Sequence, residues 1–193
     1  MNEKIISEQV PAVNVTDDRE ARQKFWIAVY TRPKSEKKAS SILNHIGIET
    51  YIPIQTEIRQ WSDRKKKIEV VIIPNIIFAY IRESDINTIR KIYLITKILS
   101  IPGSKKPAHI PISQIERLKF MIRESESPVS FRSVDFKKHD TVKVIRGKLK
   151  GLTGIVKNIS ENRSNLIVFI DLLGGAMVEV ANSDLESSND VIL

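Results

Sequence analysis

The residues in this sequence whose chemistry stands out are basic, and they cluster at three places. The first cluster spans Arg32 to Lys38, and the second, R-Q-W-S-D-R-K-K-K from Arg59 to Lys67, includes a tryptophan. The third, V-K-V-I-R-G-K-L-K-G-L-T-G-I-V from Val142 to Val156, sets basic side chains among three glycines. Lysine and arginine at this density bind polyanions, although a solvated basic surface also explains such a cluster.

The middle of the chain carries the excess positive charge. Residues 25–123 contain eighteen basic and eight acidic groups, whereas residues 1–24 and 124–193 each contain one more acidic than basic group. The net charge of the whole chain is +8. This concentration favours a polyanionic partner for the central segment.

Residues suited to catalysis are scarce. His45, His109 and His139 lie far apart in the sequence, and neither an H-E-x-x-H motif nor a serine elbow accompanies them. The G-x-x-x-x-G-K-[ST] and G-x-G-x-x-G phosphate loops are absent, and the sequence has no cysteine for a disulfide, a zinc site or a thiol nucleophile. We therefore predict a binding protein that is not an enzyme and holds neither a metal nor a cofactor.

The hydrophobic content, 41% of residues, is sufficient for one ordinary domain or two small ones. No apolar run approaches the roughly 20 residues that a membrane-spanning helix needs, and the first ten residues lack the hydrophobic region of a signal peptide. We expect a cytoplasmic protein without a membrane partner.

Residues 1–24 are polar and without periodicity, so we expect a mobile extension there.

The segment after this extension predicts a strand, a helix and a second strand. Phe25 to Thr31 is aromatic and β-branched, as is typical of a strand. From Lys34 to Ile46 the apolar residues have helical spacing, and Gly47 is placed to end the helix. The residues expected to face inward are Ala39, Ile42, Leu43 and Ile46. I-E-T-Y-I-P-I then predicts a short strand.

The next segment joins a basic connection to the most apolar stretch of the chain. We interpret Arg59 to Lys67 as the connection, and I-E-V-V-I-I-P-N-I-I-F-A-Y-I as buried strands broken at Pro74 and Asn75. A short helix is expected from Asp85 to Tyr93, and a strand from Lys97 to Ile101.

A capping box predicts the last helix of this first part. Ser113 and Glu116 have the required spacing, and Ile115, Leu118 and Ile122 form an apolar stripe.

Residues 124–136 are rich in serine and charge, as expected of a linker. Every later segment predicts a strand, so we expect five short strands in a small barrel. Its first corner would need the glycines of the third basic cluster for positive φ or close backbone approach.

Two stretches together resemble the NusG family of transcription elongation factors. The first runs from W-I-A-V-Y-T-R-P-K-S-E-K-K to I-P-N-I-I-F-A-Y-I and is similar to the family's N-terminal (NGN) domain, and the third basic cluster resembles the KOW motif. The resemblance implies an α+β protein: an NGN-type, ferredoxin-like α/β sandwich followed by a small all-β SH3-like KOW barrel. The implied limits are a mobile extension 1–24, an NGN domain 25–123, a linker 124–136, a barrel 137–187 and a tail 188–193.

Within this family the sequence is more similar to the specialised RfaH and UpxY types than to the general factor. Asn75 stands where the general factor usually has glycine, and W-S-D-R-K-K resembles the UpxY antiterminators of surface-polysaccharide operons. Lys148 departs from the proline that is common in the KOW motif. The resemblance implies an antitermination factor that binds RNA polymerase and increases its processivity.

The resemblance also implies where RNA polymerase binds. In the family, the N-terminal domain contacts the clamp helices of the largest polymerase subunit and bridges the cleft to the opposite side. Thr88 lies where the RfaH type makes its contact across the cleft, and the positions that match the clamp-helix patch are Tyr30, Pro74, Asn75, Ile76, Phe78, Ile115 and Leu118. Plain core packing is an equal alternative for residues of this set.

Two further sets of residues follow from the resemblance. The positions that match the family's basic edge beside the non-template DNA strand are Arg32, Lys34, Lys37 and Lys38. The KOW motif comprises Arg146, Gly147, Lys148, Lys150, Gly151 and Gly154. In relatives the barrel binds a termination factor or a small-subunit ribosomal protein, and the candidate contacts here are Phe169, Ile170 and Leu172, for which a place in the barrel core is the alternative.

Two other functions stay open from the sequence. One is a housekeeping NusG-like elongation factor, and the other is a ribosomal RNA-binding KOW protein, which the basic turn from Arg146 to Lys150 would suit.

Overall fold

The structure, a computed structural model, describes residues 23–61, 63–132, 141–158, 160 and 162–188. The expected mobile extension lies outside this part of the chain except for its last two residues. Residues 133–140, which include His139 and the expected start of the barrel, also lie outside it, as does the tail from residue 189.

The N-terminal domain is a four-stranded antiparallel sheet, ordered β2-β5-β1-β6, with helices on both faces. The elements in chain order are β1 (Phe25–Thr31), α1 (Glu36–His45), β2 (Glu49–Tyr51), β3 (Ile54–Gln60), β4 (Lys65–Val71), β5 (Ile76–Ile81), α2 (Ile86–Arg90), β6 (Ile95–Ile98) and α3 (Ile112–Glu124). This arrangement confirms the expected α/β sandwich.

The two central strands, β1 and β5, divide their side chains between two hydrophobic clusters. Trp26, Ala28, Ile76 and Phe78 belong to the cluster that includes the buried residues of α3. The residues that alternate with them belong to the cluster that includes α1 and α2, namely Ile27, Val29, Ile77, Ala79 and Ile81. We call these sides the α3 face and the α1 face. Since both are covered, the strands are apolar at nearly every position.

Helix α1 confirms the predicted stop but not the whole predicted face. Gly47 follows the helix with φ +84°, the left-handed conformation that ends many helices at glycine. Ala39 and Leu43 are buried as expected, whereas Ile46 is 47% exposed. The reason is that the helix ends at His45, so Ile46 no longer follows the helical face.

Strands β3 and β4 form a separate two-stranded hairpin, and here the sequence interpretation was wrong. The predicted basic connection contributes the end of β3 and the start of β4, and the segment I-E-V-V is half-exposed rather than buried. Gln55 fixes the base of this hairpin: its side chain donates to the Ser127 carbonyl at 3.1 Å and accepts from the Val129 N–H at 2.8 Å. The apolar stretch was misread because its first part, I-E-V-V, continues a strand that begins with Lys65 to Lys67 and has no buried position.

Helix α3 has the predicted stripe but not the predicted cap. It begins at Ile112 behind Pro111, and no side-chain hydrogen bond caps it. Ser113 therefore lies inside the first turn, and Glu116 pairs with Lys119 at 3.1 Å instead of reaching back to a cap residue.

The C-terminal domain is a six-stranded antiparallel sheet ordered β12-β8-β9-β10-β11-β7. Its strands are β7 (Ser130–Arg132), β8 (Thr141–Val144), β9 (Thr153–Asn158), β10 (Arg163–Ile170), β11 (Gly174–Ala181) and β12 (Leu185–Ser187). The all-β prediction is confirmed, with one correction: β7 belongs to the predicted linker, yet Phe131 pairs with Ala176 of β11. Its three residues were too few to give a periodicity.

The glycines between β8 and β9 meet the two needs predicted for this corner. Gly147 and Gly151 have φ of +75° and +93°. Gly154 instead lies so close to β10 that a Cβ atom would be 2.6 Å from the Ile167 carbonyl oxygen and 2.9 Å from Leu166 Cδ1. Gly154 therefore permits the close contact between β9 and β10, while Gly147 and Gly151 permit the left-handed backbone of the turn.

We predict that Gly154→Ala destabilises the C-terminal domain more than Gly147→Ala does. The first substitution pushes a methyl group into a backbone carbonyl and should cost about 3 kcal/mol, the upper part of the range for overpacking. The second meets open space among the described residues and should cost about 1 kcal/mol for its left-handed backbone. Urea denaturation followed by circular dichroism measures both, and equal losses would contradict the close approach.

Candidate functional site

The α3 face of the N-terminal sheet is rich in aromatic residues. Trp26, Tyr30, Tyr51, Phe78 and Tyr80 lie on this face, because Tyr30 pairs with Ile76, Tyr51 with Phe78, and Trp26 with Tyr80 in neighbouring strands. The Trp26 and Tyr80 rings are 5.2 Å apart, and those of Tyr51 and Phe78 are 6.1 Å apart. Contacts of this kind add to the stability that burial provides.

The predicted polymerase-binding residues divide into a buried and an accessible group. Four of them, Ile76, Phe78, Ile115 and Leu118, are buried and belong to one hydrophobic cluster. Phe78 is 0% exposed. Tyr30 and Asn75 are half-buried, while Pro74 and Thr88 are exposed. Thr88 lies on α2, on the α1 face, so the structure does not bring it to the others.

Hydrogen bonds of the Asn75 backbone hold the conformation of the Pro74-Asn75 dipeptide, which we call the Pro74-Asn75 step. Asn75 has φ +60°, a left-handed conformation that asparagine tolerates better than most residues. Its N–H donates to the buried Glu36 carboxylate of α1 at 2.7 Å, and its carbonyl accepts from the Thr31 N–H at 2.8 Å. These bonds hold the step beside the end of β1, next to Tyr30.

A groove of about 900 Å³ runs between α3 and the base of the β3–β4 hairpin, lined by residues that include Tyr51, Ile58 and Lys119. The Lys119 ammonium lies 5.4 Å from the centre of the Tyr51 ring and 5.1 Å from that of Trp26, close enough for cation–π attraction. Burial first, and the Glu116 charge second, raise the pKa of the Tyr51 hydroxyl above its ordinary value. Tyr51 therefore presents a neutral hydroxyl to this groove.

The opposite side of α3 contacts the C-terminal domain. The Asp171 N–H donates to Gln114 Oε1 at 2.9 Å, and Gln114 is buried. Burial lowers the pKa of the Arg117 guanidinium, and the Asp171 charge acts in the opposite direction. Beyond the end of α3, Lys148 Nζ and Glu126 Oε1 form an exposed ion pair at 2.7 Å. Buried residues of both domains belong to one continuous hydrophobic cluster.

The four cations of the predicted basic edge are exposed at the start of α1, on the α1 face. Lys37 forms an ion pair with Glu69 of β4. The Lys38 ammonium lies 5.8 Å from the centre of the exposed Tyr93 ring. Arg32 and Lys34 extend the same surface. Its net positive charge is suited to contacts with phosphate groups.

Comparison with protein-family models found two matches. The family described as "Transcription termination factor nusG" matches residues 24–119, and the KOW motif matches residues 140–171. The chain carries a NusG domain followed by a KOW motif. A comparison with curated proteins found no match.

Three solved structures illustrate what the chain is similar to. Thermotoga maritima NusG, from a structure described as "Domain interaction in Thermotoga maritima NusG", is 21% identical, covers 86% of this chain and 98% of its own, with a TM-score of 0.48. Conformations A and B of the MjSpt4:Spt5 complex are each 15% identical and cover 84% of this chain. They cover 97% and 95% of their own chains, with TM-scores of 0.28 and 0.29.

Within the KOW match, the basic residues of the turn point to solvent. Arg146, Lys148 and Lys150 are exposed, and Leu149 between them is buried. Of the predicted partner contacts, Ile170 is fully buried in the core, Phe169 is half-buried, and Leu172 is 51% exposed with φ +61°. Phe169 and Leu172 line a cavity against Phe25 and His109 of the NusG domain.

The Phe25 and His109 rings stack at 3.7 Å. The residues that the structure describes contain no group of three or more His, Cys, Asp or Glu that could hold a metal ion. No helix in the same residues is long and apolar enough to cross a membrane.

Sequence reasoning missed four residues of the NusG domain that shape these surfaces. Glu36 and Gln114 are buried polar residues that bond to distant backbone N–H groups, and no local pattern identifies such partners. Tyr51 and Lys119 are far apart in the sequence and come into contact only in the folded domain. The position of Tyr51 in a short strand that a proline ends was a sequence signal that could have drawn attention to it.

We predict that Asn75→Gly leaves the stability of the NusG domain nearly unchanged, whereas Asn75→Ala lowers it by about 1 kcal/mol. Alanine is strained at positive φ and glycine is not, while the bonds to Glu36 and Thr31 use backbone atoms that both variants retain. Urea unfolding midpoints measure the difference. Identical midpoints for the two variants would show that backbone strain does not fix this step.

Proposed function

We propose that this protein is a non-enzymatic transcription factor that binds RNA polymerase through its NusG domain and increases the enzyme's processivity. The observation that carries the proposal is the order of the two matched regions, a NusG domain and then a KOW motif in one chain. The absence of a catalytic constellation among the sequence motifs agrees with it.

The proposed polymerase-binding surface is the accessible rim of the aromatic α3 face. Tyr30, Pro74 and Asn75 form one part of this rim, and Tyr51 and the groove beside it form the other. Ile76, Phe78, Ile115 and Leu118 form the rigid layer beneath rather than the contact itself. Tyrosines held on such a support are typical of residues that dominate binding energy. The occupant would be the clamp helices of the largest polymerase subunit.

The α1 face would supply contacts on the other side of the polymerase cleft. Thr88 on α2 is exposed there, as are Arg32, Lys34, Lys37 and Lys38 around the start of α1. We assign to Thr88 the contact across the cleft and to the four cations the phosphates of the exposed non-template DNA strand. Lysine and arginine contacts of this kind add affinity without selecting a base sequence.

The finer function that we propose is antitermination on long operons of the surface-polysaccharide kind. It rests on the resemblance of W-S-D-R-K-K and Asn75 to the UpxY and RfaH types. The KOW domain would bind a termination factor or a small-subunit ribosomal protein through Phe169 and Leu172, with Ile170 supporting them from the core. Read-through of a terminator in a purified transcription reaction, with and without the protein, tests antitermination.

We predict that Tyr30→Ala combined with Tyr51→Ala weakens binding of the full-length protein to a clamp-helix fragment at least about tenfold, since each change removes an interface tyrosine. Isothermal titration calorimetry measures the affinity. Circular dichroism reports whether the variant stays folded, which we expect because both side chains are only half-buried.

Tyr93→Ala is the matched control, because Tyr93 is an exposed tyrosine near α1 on the opposite side of the sheet. It should bind the fragment like the wild type. A folded double variant with unchanged affinity would exclude this surface. If the wild-type protein itself does not bind the fragment but co-sediments with ribosomes, the ribosomal KOW function replaces the polymerase function.

A further inference from the structure

The tip of the β3–β4 hairpin carries an exposed tryptophan that the surfaces above do not use. Trp61 is 56% exposed, whereas the other tryptophan, Trp26, is 3% exposed. An indole costs free energy when water surrounds it, and an isolated one on a projecting hairpin contributes little to a core. Its exposure therefore indicates a ligand rather than a packing role.

Basic residues surround this tryptophan at high density. From residue 58 to residue 67 the hairpin has five basic residues and one acidic residue, Asp63. Arg59 and Lys66 occupy directly opposite positions on β3 and β4, where like charges repel. Arg59 also contacts Glu57 at 3.2 Å, and Arg64 lies 4.0 Å from Asp63. A bound anion would relieve the remaining repulsion.

The hairpin presents these groups on a fixed support. Gln55 anchors its base through two hydrogen bonds, and the Trp61 N–H donates to the Arg64 carbonyl at 2.8 Å across the turn. Trp61 lies six positions after Gln55 along an extended strand, which places the indole about 20 Å from the anchor. Both faces of the outer half are exposed, so a ligand reaches the tip without any rearrangement of the domain.

We propose that the hairpin tip binds single-stranded nucleic acid, with a base stacked on Trp61 and backbone phosphates held by the cations of β3 and β4. An aromatic platform beside a row of cations is the arrangement by which single strands bind without sequence preference. A duplex would offer the indole no unstacked base. Phosphates alone would explain the cations but not the tryptophan.

This site differs from the basic edge of α1, although the two are neighbours through the ion pair of Lys37 and Glu69. The edge has no exposed tryptophan, and its tyrosine, Tyr93, already lies against Lys38. The hairpin would therefore hold bases while the edge holds phosphates only.

The test measures binding of full-length protein to fluorescein-labelled 15-nucleotide oligo(dT), oligo(U) and a 15-base-pair duplex by fluorescence anisotropy. Trp61→Ala should weaken binding to single strands about 5- to 100-fold, the range for loss of one stacked base, and Trp61→Phe should restore most of it. Trp61→Ala should leave duplex binding unchanged. If oligo(dT) binds more tightly than oligo(U), the natural ligand is single-stranded DNA. If oligo(U) binds more tightly, the natural ligand is single-stranded RNA.

A second variant separates charge from stacking. Changing Lys65, Lys66 and Lys67 together to glutamine should flatten the plot of log affinity against log salt by about 2, since each phosphate contact to a single strand contributes about 0.7. Trp61→Ala should leave this slope unchanged. The double variant Lys105→Gln with Lys106→Gln is a matched control away from the hairpin and should bind like the wild type.

Equal binding of oligo(dT) by wild type and Trp61→Ala would overturn the proposal, as would tighter binding to anionic phosphatidylserine vesicles than to any oligonucleotide. Loss of binding only in variants of Lys34, Lys37 and Lys38 would overturn it too, and would assign the strand to the α1 edge. The assay contains no polymerase, so its outcome is independent of clamp-helix binding.

Discussion

The structure depends on a sheet whose two central strands are buried on both sides. Because β1 and β5 alternate between the α3 face and the α1 face, each apolar residue in them packs in one of two cores. Each fully buried leucine- or phenylalanine-sized side chain contributes about 1.5–3 kcal/mol relative to an exposed one. The apolar side chains at the centre of these strands are therefore covered and do not form an exposed surface. The accessible side chains lie at the rims of the sheet, at the ends of its strands and on the elements that project from it, and these are the places where we propose that partners bind.

That constraint explains where the candidate surfaces lie. Tyr30 and Tyr51 flank β5 on the α3 face and are only half-buried, so the core positions them while their rings remain accessible. The Pro74-Asn75 step lies where β5 begins, and the carboxylate of Glu36 holds it from the opposite face. One buried acid thus links the geometry of the two faces. The surfaces proposed for the polymerase and for non-template DNA share a single rigid support.

Much of this fold could be predicted from sequence, because its strongest elements are periodic. The strand at Phe25 to Thr31, the helix that Gly47 ends, and the three glycines of the KOW turn all follow from local rules. The hairpin was missed because Lys65 to Lys67 lie in a strand that has no buried face to give a pattern. The buried positions of Ile76 and Phe78 were also undecided, since a strand that is apolar on both sides does not reveal what covers it.

The contact between the domains combines apolar packing with a few specific bonds, since buried residues of both domains belong to one hydrophobic cluster. These bonds include the one from the Asp171 N–H to Gln114 and the exposed ion pair of Lys148 with Glu126. Lys148 lowers the pKa of the Glu126 carboxyl, so the pair contributes above that group's unfolded pKa and is lost as the pH falls through its folded value. Water could replace either bond if the domains parted, but parting would also expose apolar residues that both domains contribute to one hydrophobic cluster. On the Gln114 side of α3, apolar packing as well as these two bonds therefore joins the NusG domain to its neighbour.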